Sequence, residues 1–512
     1  MELVFEVLTQ LFHWQTILVC FLGTAVGTVL GAIPGMNGGI GIAIMLPFTY
    51  SMEPAQGLLF LGGMYLGSSY GGSISGILIN CPGTAEAACT TIEGYPMTRR
   101  GEGKRALYFS VIASFIGSVI GLIILLFFTP VLSKISVKFG PPEMMLLAIC
   151  GLTIVGSLTG KNVAKGLLAG LIGLFMAMIG IDDATGAVRF TFGVKGLRGG
   201  IALIPAVIGL FAIAEMVKQG MGIGTDEKNE MVELKAFGFL EVFKETVTKY
   251  RGVLLKSSAI GTFIGILPGT GGAIASFLAY GEAKGKDREG TFGKGNPAGI
   301  IAPEAANNAA VGGSLVPMLS LGIPGSATSA IMFGALTIHG LVPGQRLFVD
   351  NADVAYTFML GMFLTAFFML LMGILGIPLF ATVLKLNIRQ IIPIVILCSL
   401  VGAYSTNNTM NDVIVAVGCG ILGVVLAKFE MPSTPVVLGL ILGGLIESNF
   451  VRTWTIVTSQ DINIFVYILK RPLCIGILLL TAYLIYANVK AMKRGREIQK
   501  TTNVDVDLNE EG

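Results

Sequence analysis

Two apolar stretches of the chain share an interruption by proline and glycine. GTVLGAIPGMNGGIG occupies residues 27–41, and GTFIGILPGTGGAIA occupies residues 261–275. In each stretch glycine recurs at every fourth position, and a proline directly precedes the last glycine of that series. A proline–glycine pair frees backbone N–H and C=O groups, which are costly to expose unsatisfied to lipid. Both stretches are therefore predicted to be broken helices that lie inside protein or face a polar cavity.

The composition predicts a membrane protein with many spans. Of the 512 residues 53% are hydrophobic and 13% are charged, whereas soluble domains carry about 25% charged residues. Apolar stretches recur along the whole chain, and roughly eleven to thirteen of them are long enough to span a bilayer. The predicted fold class is an all-α polytopic membrane protein. The net charge of +3 gives no indication of a nucleic-acid partner, and none is expected.

The interruption belongs to a longer internal repeat. The first stretch is followed by GGSISGILINCPGTAEAA at 71–88, and the second by GGSLVPMLSLGIPGSATSA at 312–330. TIEGYP at 91–96 and TIHGLVP at 337–343 form a further matched pair. The matched landmarks follow the same order in both copies, which makes a chance similarity implausible. The proline–glycine breaks of the two copies are at residues 34–35, 82–83, 268–269 and 324–325.

The charges beside the two copies predict that they cross the membrane in opposite directions. Basic residues follow the first copy in the segment 97–105, whereas they precede the second copy in the segment 244–256. Basic loops face the cytoplasm, so both segments are predicted to be cytoplasmic and residues 345–350 to lie outside. Inverted-topology repeats of this kind build one transport site at the membrane midplane.

The chain is predicted to consist of two repeat halves. The halves are residues 1–218 and residues 251–489, and the second half includes the C-terminal spans. The polar segment 219–250 between them is predicted to be a cytoplasmic linker. Residues 490–512, which are first basic and then acidic, are predicted to be a cytoplasmic tail, and the N-terminus is predicted to lie outside.

The breaks are the predicted transport site. Half-helices that end at a break direct their partially positive N-termini toward it, which favours an anion, while the freed carbonyls favour a small cation. The polar residues nearby are mostly small and uncharged, so a co-bound Na+ or H+ is expected to supply positive charge. No catalytic residue is predicted, and no metal beyond a transient Na+. The candidate residues for binding substrate or ion are Pro34, Gly35, Asn37, Gly38, Gly39, Ser73, Asn80, Pro82, Gly83, Thr84, Pro268, Gly269, Thr270, Gly271, Gly272, Glu304, Asn307, Asn308, Ser314, Pro324, Gly325, Ser326 and Thr328.

Three carboxylates near the breaks have more than one interpretation. Glu304 lies in a fairly apolar stretch, where it either carries a proton or a cation or caps a helix near the interface. Glu86 and Glu93 flank the second break, and Glu93 is predicted to lie at the membrane interface. The sequence alone does not decide the role of any of the three.

Several stretches resemble the large membrane subunit of the tripartite tricarboxylate transporter family. They are GAIPGMNGG, NCPGTAEAACTTIEGYPMTRRGEGKRAL, GILPGTGGAIASF and APEAANNAAVGGSLVPMLSLGIPGSATSAIMFGALTIHGLVPG. The resemblance implies an elevator-like permease of the bacterial inner membrane, driven by a gradient of Na+ or H+. It also implies a small membrane subunit of a few spans and a periplasmic solute-binding protein that delivers a carboxylate, either a tricarboxylate such as citrate or a related organic acid. The family usually has Asp where this chain has Glu93.

Other functions remain open at this point. A stand-alone organic-anion carrier would have the same broken helices without any binding protein. An intramembrane enzyme would need a cluster of ionisable residues or metal ligands inside the spans, and the chain has only two histidines and no such motif. Paired inverted breaks favour alternating access over a channel. The sequence therefore predicts a transporter and no enzymatic activity.

Overall fold

The protein is built mainly of helices. The computed structural model describes residues 2–33, 38–136, 139–158, 163–182, 186–221, 235, 237–267, 271–377, 388–479 and 481–483. In chain order its helices are α1 (Glu2–Leu11), α2 (Trp14–Ala32), α3 (Gly38–Met45), α4 (Pro54–Ile79), α5 (Ala88–Arg99), α6 (Gly103–Ser136), α7 (Pro141–Leu158), α8 (Val163–Ala177), α9 (Leu203–Val207), α10 (Ala214–Gly220), α11 (Phe239–Lys249), α12 (Arg251–Ile266), α13 (Gly271–Lys284), α14 (Ala298–Leu321), α15 (Ala327–Ile338), α16 (Gln345–Asp350), α17 (Ala352–Leu375), α18 (Ile388–Asn407), α19 (Met410–Lys428), α20 (Thr434–Ser459) and α21 (Ile464–Leu469). Short 3-10 segments cover Leu46–Ser51 and Lys195–Gly199, and a π-helical segment, Ile208–Ile213, joins α9 to α10. Strands β1 (Gly180–Ile181) and β2 (Val188–Arg189) form a short antiparallel ribbon.

Several helices are suited to a bilayer by length and composition. Among the described residues, five helices are long and apolar enough to cross a membrane: α2, α6, α17, α19 and α20. Shorter apolar helices, among them α7, α8, α15 and α18, accompany them. The prediction of an all-α polytopic membrane protein is confirmed.

The two central helices of the bundle are not among the most apolar ones. α4 has 26 residues and α14 has 24, which at about 1.5 Å per residue is enough to cross a bilayer core of about 30 Å. Almost every residue of both helices is buried. A helix that is buried on all sides lies in the middle of a bundle. Since neighbouring helices shield them from lipid, α4 and α14 can carry the small polar side chains that lower their hydropathy.

Helix α2 packs closely against α4, and the two helices run parallel. A Cβ added to Gly27 would collide with the backbone of Met64, and one added to Gly31 with the backbone of Ser68. The residue number rises by four on both helices between these contacts, so the helices point the same way. Glycine at every fourth position lets two backbones approach this closely.

The second repeat reproduces this packing with α12 and α14. A Cβ on Gly261 would meet the backbone of Ala306, and one on Gly265 the backbone of Ala310. Again both numbers rise by four, so α12 and α14 are parallel. Gly27 and Gly31 therefore lie on the contact face of α2, and Gly261 and Gly265 lie on that of α12.

In each repeat the helix α2 or α12 is followed by a second helix, α3 or α13, that carries the chain back toward the end of the bundle where the first helix began. Lys256, near the start of α12, forms an ion pair with Glu282, near the end of α13. In the first repeat, Gly41 of α3 lies against the Leu30 side chain of α2. The pairs α2–α3 and α12–α13 are thus helical hairpins. Their tips, residues 34–37 and 268–270, lie outside the described residues.

Helices α4 and α14 run antiparallel where they cross. Hydrogen bonds join the side chains of Tyr65 and Ser314 and those of Ser73 and Glu304, and between these pairs the Asn307 side chain donates to the main-chain carbonyl of Ser69. The residue number rises along α4 as it falls along α14. Because the two helices are equivalent elements of the repeat, the two repeats are inverted relative to each other. The inverted arrangement predicted from the charges is confirmed.

The basic segments lie at one end of the bundle. Arg105 forms an ion pair of 2.8 Å with Glu245 of α11, and Arg100 donates to the carbonyls of Lys294 and Gly295. The opposite end of α14 is joined to residue 344, because the N–H of Gly344 donates to the carbonyl of Leu319. Segments 97–105 and 244–256 therefore share one end of the bundle, and residues 345–350 lie at the other.

The segment predicted as a linker contains a helix. Residues 222–234 and 236 lie outside the described part of the chain, as does the predicted tail, residues 490–512. Within the linker, α11 buries Val242 and Thr246 and leaves Leu240 exposed. This helix packs against α6. The boundaries predicted for the two halves, residues 1–218 and 251–489, stay predictions.

Candidate functional site

Both central helices end in the same unusual backbone conformation. α4 is terminated by Asn80, whose φ is 57°, and α14 by Gly322, whose φ is 72°. Glycine adopts this left-handed region without strain, and asparagine tolerates it better than most residues. The two helices are therefore stopped by residues suited to a reversal of the chain.

After this reversal the chain folds back along the helix that it has just left. The N–H of Gly83 donates to the carbonyl of Gly72 at 3.0 Å, and the N–H of Gly325 donates to that of Ser314 at 3.3 Å. In both repeats the acceptor lies eleven residues earlier in the chain. The backbone freed by each break thus finds a partner inside the bundle, as a lipid environment requires.

The glycines of the second and fourth breaks touch the backbone of the hairpin beside them. A Cβ on Gly83 would collide with the carbonyl oxygen of Gly31, and one on Gly325 with that of Gly265. Neither break glycine has a positive φ. Close approach of two backbones is therefore the reason that glycine is needed at both positions.

A hydroxyl cluster joins the two repeats beside the fourth break. The Tyr65 hydroxyl lies 2.7 Å from the Ser326 hydroxyl and 3.2 Å from that of Ser314. Ser326 also caps α15, since its side chain accepts from the N–H of Ser329. Tyr65 comes from the first repeat and the serines come from the second, so this cluster exists only where the repeats meet.

The first residues of α13, in the second hairpin, lie next to the same crossing. A Cβ on Gly272 would meet the amide oxygen of Asn307 and the Glu86 side chain. Asn307 is buried and donates to the carbonyl of Ser69 at 3.0 Å. Glu86 is half-buried. A carboxylate therefore lies close to the polar groups that were predicted to hold an anion.

Glu304 is surrounded by hydroxyl groups from three helices. One carboxylate oxygen accepts from Ser73 and, at 2.5 Å, from Thr90; the other accepts from Ser110 at 3.1 Å and from Ser114 at 2.9 Å. The side chain is 1% exposed and lies two turns inside α14. A helix-capping role at the interface does not fit this position. Every lone pair of the carboxylate has a hydroxyl partner.

Asn308, beside this cluster, has one side-chain polar atom without a hydrogen-bond partner among the described residues. Its amide nitrogen donates to the main-chain carbonyl of Glu304 at 3.3 Å. Its amide oxygen is fully buried and has no hydrogen-bond partner within the described residues. A buried acceptor without a partner is costly, so this atom is a candidate contact for substrate or for a group that moves during transport.

The remaining predicted site residues are distributed among the hairpins and the breaks. Gly38 and Gly39 are buried at the start of α3, and Gly38 lies against the Ser68 hydroxyl. Thr84 accepts from the N–H of Ala87 at 3.4 Å. Buried or half-buried positions without side-chain hydrogen bonds among those described are Pro82, Gly271, Pro324 and Thr328, whereas Asn80 is exposed at the end of α4. The predicted residues that lie outside the described part of the chain are Pro34, Gly35, Asn37, Pro268, Gly269 and Thr270.

Glu93 is placed away from the breaks, beneath the loop 285–297. Its carboxylate accepts from the N–H groups of Gly293, Gly295 (2.7 Å) and Asn296 (2.8 Å), and from the Tyr280 hydroxyl at 3.0 Å. It is fully buried. Glu93 therefore anchors the loop that connects the second hairpin to α14.

A comparison with known protein families agrees with this architecture. A model described as the tripartite tricarboxylate transporter TctA family matches residues 17–438. The chain belongs to this family. The match includes both repeats and every helix that contributes to the α4–α14 crossing, so the TctA family assignment applies to the site and not merely to a peripheral segment.

The chain is also similar to two curated bacterial proteins. It is 33% identical over 448 residues to an uncharacterized 52.8 kDa protein from the TAR-I ttuC' 3' region of Agrobacterium vitis, covering 87% of this chain and 88% of that protein. It is 32% identical over 207 residues to an uncharacterized protein from the TAR-II ttuC' 3' region of Agrobacterium vitis, covering 40% of this chain and 85% of that protein. No solved structure gives a significant match.

Several site residues were missed by the sequence analysis. Tyr65 and Thr90 lie in segments where only proline, glycine and their neighbours were considered. Ser110 and Ser114 lie in the span 106–130, which reads as purely apolar at first sight. Their spacing of four residues places both hydroxyls on one face of α6, and this spacing was the available signal.

Proposed function

We propose that this TctA-family chain is the large transmembrane subunit of a binding-protein-dependent carboxylate uptake system driven by an ion gradient. One observation carries the proposal: α4 and α14 run antiparallel and bring the broken segments of both repeats to a common crossing. Inverted repeats with broken helices near the midplane are an architecture of secondary transporters. Movement of the crossing and its hairpins as one body, in the manner of an elevator, is part of this proposal.

The substrate that suits the crossing is an organic anion, either a tricarboxylate or a related organic acid. Helices α5 and α15 both begin beside a break, and helix N-termini favour anions. Tyr65, Asn307 and Ser326 add directional hydrogen bonds. Glu86 contributes negative charge nearby, so entry of a highly charged anion requires positive charge to enter with it. This requirement supports coupling to Na+ or H+.

The partners follow from the tripartite family. We expect a small membrane subunit of a few spans and a periplasmic solute-binding protein that delivers the carboxylate. The chain would then lie in the bacterial inner membrane, with its N-terminus outside and its C-terminus in the cytoplasm. The second candidate function is a stand-alone carrier, which has the same crossing and needs no binding protein.

Reconstitution tests this proposal directly. The chain is placed in proteoliposomes with its small membrane subunit, and uptake of labelled carboxylates is measured with and without the cognate binding protein under an imposed ion gradient. Uptake that requires both the binding protein and the gradient is the expected result. Uptake that persists unchanged without the binding protein would support the stand-alone carrier, and a lack of uptake of every carboxylate tested would contradict both.

The topology gives a second prediction. Single cysteines at positions 100 and 348, each on a Cys-free background, should be labelled by a membrane-impermeant reagent from opposite faces. Arg100 belongs to the basic end of the bundle, and residue 348 lies in α16 at the far end. A cysteine at position 245 serves as a control that should label from the same face as position 100. Labelling of 100 and 348 from one face would contradict the inverted arrangement.

The hydroxyl cluster gives a third prediction. Tyr65→Phe removes one hydroxyl and leaves the ring, so we expect the half-saturating carboxylate concentration to rise about two- to thirteenfold, as for the loss of one hydrogen bond of roughly 0.5–1.5 kcal/mol. Tyr404→Phe, at a partly exposed position on α18, is the matched control and should leave uptake unchanged. Reduced protein abundance with an unchanged half-saturating concentration would show that Tyr65 only stabilises the crossing.

A further inference from the structure

The carboxylate of Glu304 has no vacant acceptor position. Its two oxygens accept two hydroxyls each, from Ser73 and Thr90 and from Ser110 and Ser114. A carboxylate offers about four lone-pair sites, so the hydroxyls use its full capacity. A metal ion could bind to this carboxylate only by displacing some of them.

Among the described residues, no positively charged side chain lies against Glu304. The titratable groups that face it are Tyr70 of α4 and Cys89 of α5, and Tyr70 in turn faces Tyr108 of α6. In the described parts of α12, α13 and α15, no charged side chain faces it either. An ionised carboxylate here is a buried charge held by hydroxyl dipoles alone, and such a charge is costly within a membrane.

A proton can enter this cluster without any movement of heavy atoms. Serine and threonine hydroxyls both donate and accept. When Glu304 gains a proton on one oxygen, the new O–H donates to one of the four hydroxyls, and that hydroxyl rotates to accept. Loss of the proton reverses the rotation. The rotated hydroxyl turns its own hydrogen to another acceptor, and a serine or threonine in a helix can donate to the main-chain carbonyl four residues earlier. The carboxyl group therefore keeps hydrogen-bond partners in both protonation states, whereas a shell of lysine or arginine could not accept from the new O–H.

We propose that Glu304 is the site of the coupling proton, which binds and leaves together with the carboxylate substrate. This inference rests on the proposed transport function. Ser73 belongs to the end of α4 that precedes the second break, and Thr90 belongs to the arm that returns from it. Asn307, three residues along α14, lies at the substrate crossing. Protonation of Glu304 thus changes hydrogen bonds to the very segments whose positions shape the crossing.

The first test uses the unaltered chain, reconstituted with its small membrane subunit and binding protein. A pH gradient, alkaline inside, is imposed without Na+, and a Na+ gradient is imposed separately at equal pH. Accumulation of carboxylate driven by the pH gradient alone is the expected result. Accumulation that needs Na+ and ignores the pH gradient overturns the inference while leaving the transport function intact. If not even carboxylate exchange is found, the transport function itself fails.

The second test uses Glu304→Gln, which keeps the shape and removes the titration. We expect accumulation driven by the pH gradient to fall more than tenfold, while exchange of carboxylate between equal pools continues and no longer depends on pH. Accumulation near the level of the unaltered chain, or an unchanged pH profile of exchange, overturns the inference. Glu86→Gln tests the rival carboxylate, and loss of pH-driven accumulation in that variant alone also overturns it. Glu241→Gln, on the exposed side of α11, is the matched control.

A milder variant covers the case in which Glu304→Gln does not fold. Ser114→Ala removes one donor to the ionised carboxylate, so the protonated form persists to higher pH. The pH of half-maximal uptake should therefore move upward. Ser118→Ala, one turn along the same helix, removes a hydroxyl that bonds to the main chain instead and should not move it. An unmoved profile in Ser114→Ala overturns the inference.

Discussion

Replacing Gly83 or Gly325 with valine is expected to abolish carboxylate uptake while the protein still inserts into the membrane. At each position the first added carbon would collide with a backbone carbonyl of the neighbouring hairpin, that of Gly31 or Gly265. A backbone atom cannot swing aside as the end of a flexible side chain can. Overpacking of a tight interior costs about 1–3 kcal/mol, and here the strain falls on the segments that we propose approach the substrate. We expect at least about a tenfold loss of uptake per variant.

The matched control for these variants is another helical-bundle glycine that has free space. A Cβ on Gly418 of α19 meets no atom within 4 Å. Gly418→Val should therefore retain near-normal uptake and abundance. Binding of carboxylate and uptake are measured for all three variants after quantification of the inserted protein. Near-normal uptake by Gly83→Val and Gly325→Val would show that the two breaks are kinks that tolerate displacement and do not shape the site.

Replacing Glu93 with alanine is expected to release the loop 285–297 from the bundle. Three backbone N–H groups, those of Gly293, Gly295 and Asn296, would lose their acceptor. Each buried donor left unsatisfied costs about 1–3 kcal/mol, so the loop gains by moving into water. Trypsin added to the basic face of oriented vesicles should then cleave at Arg288 or Lys294 at least about tenfold faster than in the unaltered chain.

Glu289→Ala is the control for the loop, because Glu289 is an exposed acid in the same segment. This variant should keep the slow cleavage of the unaltered chain. Equal cleavage rates for the Glu93 and Glu289 variants would mean that the Arg100 contacts to Lys294 and Gly295 are sufficient to hold the loop. Faster cleavage from the opposite face would contradict the placement of this loop at the basic end.

The loop should also loosen in acid. Hydrogen bonds from the backbone, chiefly the N–H of Phe292 and also those of Glu289 and Thr291, hold the pKa of the Asp287 carboxyl below its ordinary value. A depressed pKa in the folded loop means that the ionised carboxylate stabilises it at pH above the ordinary Asp range, and this contribution is lost as the pH falls through the folded pKa. The protection of the amides at residues 289–292 against hydrogen exchange, taken relative to the intrinsic rate at each pH, should therefore fall in acid more than protection elsewhere in the loop, and Asp287→Asn should remove that pH dependence.

The repeat and its inversion could be predicted from the sequence because both leave a local record. Both copies contain proline–glycine pairs and glycines spaced four residues apart, so the repeat is visible by aligning the two halves. The glycines at 27, 31, 261 and 265 form the contact faces of the hairpins. Loops that are rich in lysine and arginine stay in the cytoplasm, so the direction of each neighbouring span can be predicted from its own flanking charges. The charges beside each copy therefore determined the relative direction of α4 and α14, which the hydrogen bonds across their crossing confirm.

The composition of the polar clusters was decided only by the tertiary structure. The four hydroxyls on Glu304 come from positions 190–231 residues away in the chain, and Tyr65 meets Ser326 across a separation of 261 residues. The four-residue spacing of Ser110 and Ser114 marks a polar face of α6, but no local pattern in the sequence tells which distant residue that face meets. Hydropathy is likewise uninformative for α4 and α14, because helices that their neighbours shield from lipid are free to be polar. The sequence by itself therefore determined the fold class, the repeat and the breaks, while three-dimensional packing alone determined which side chains surround the buried carboxylate.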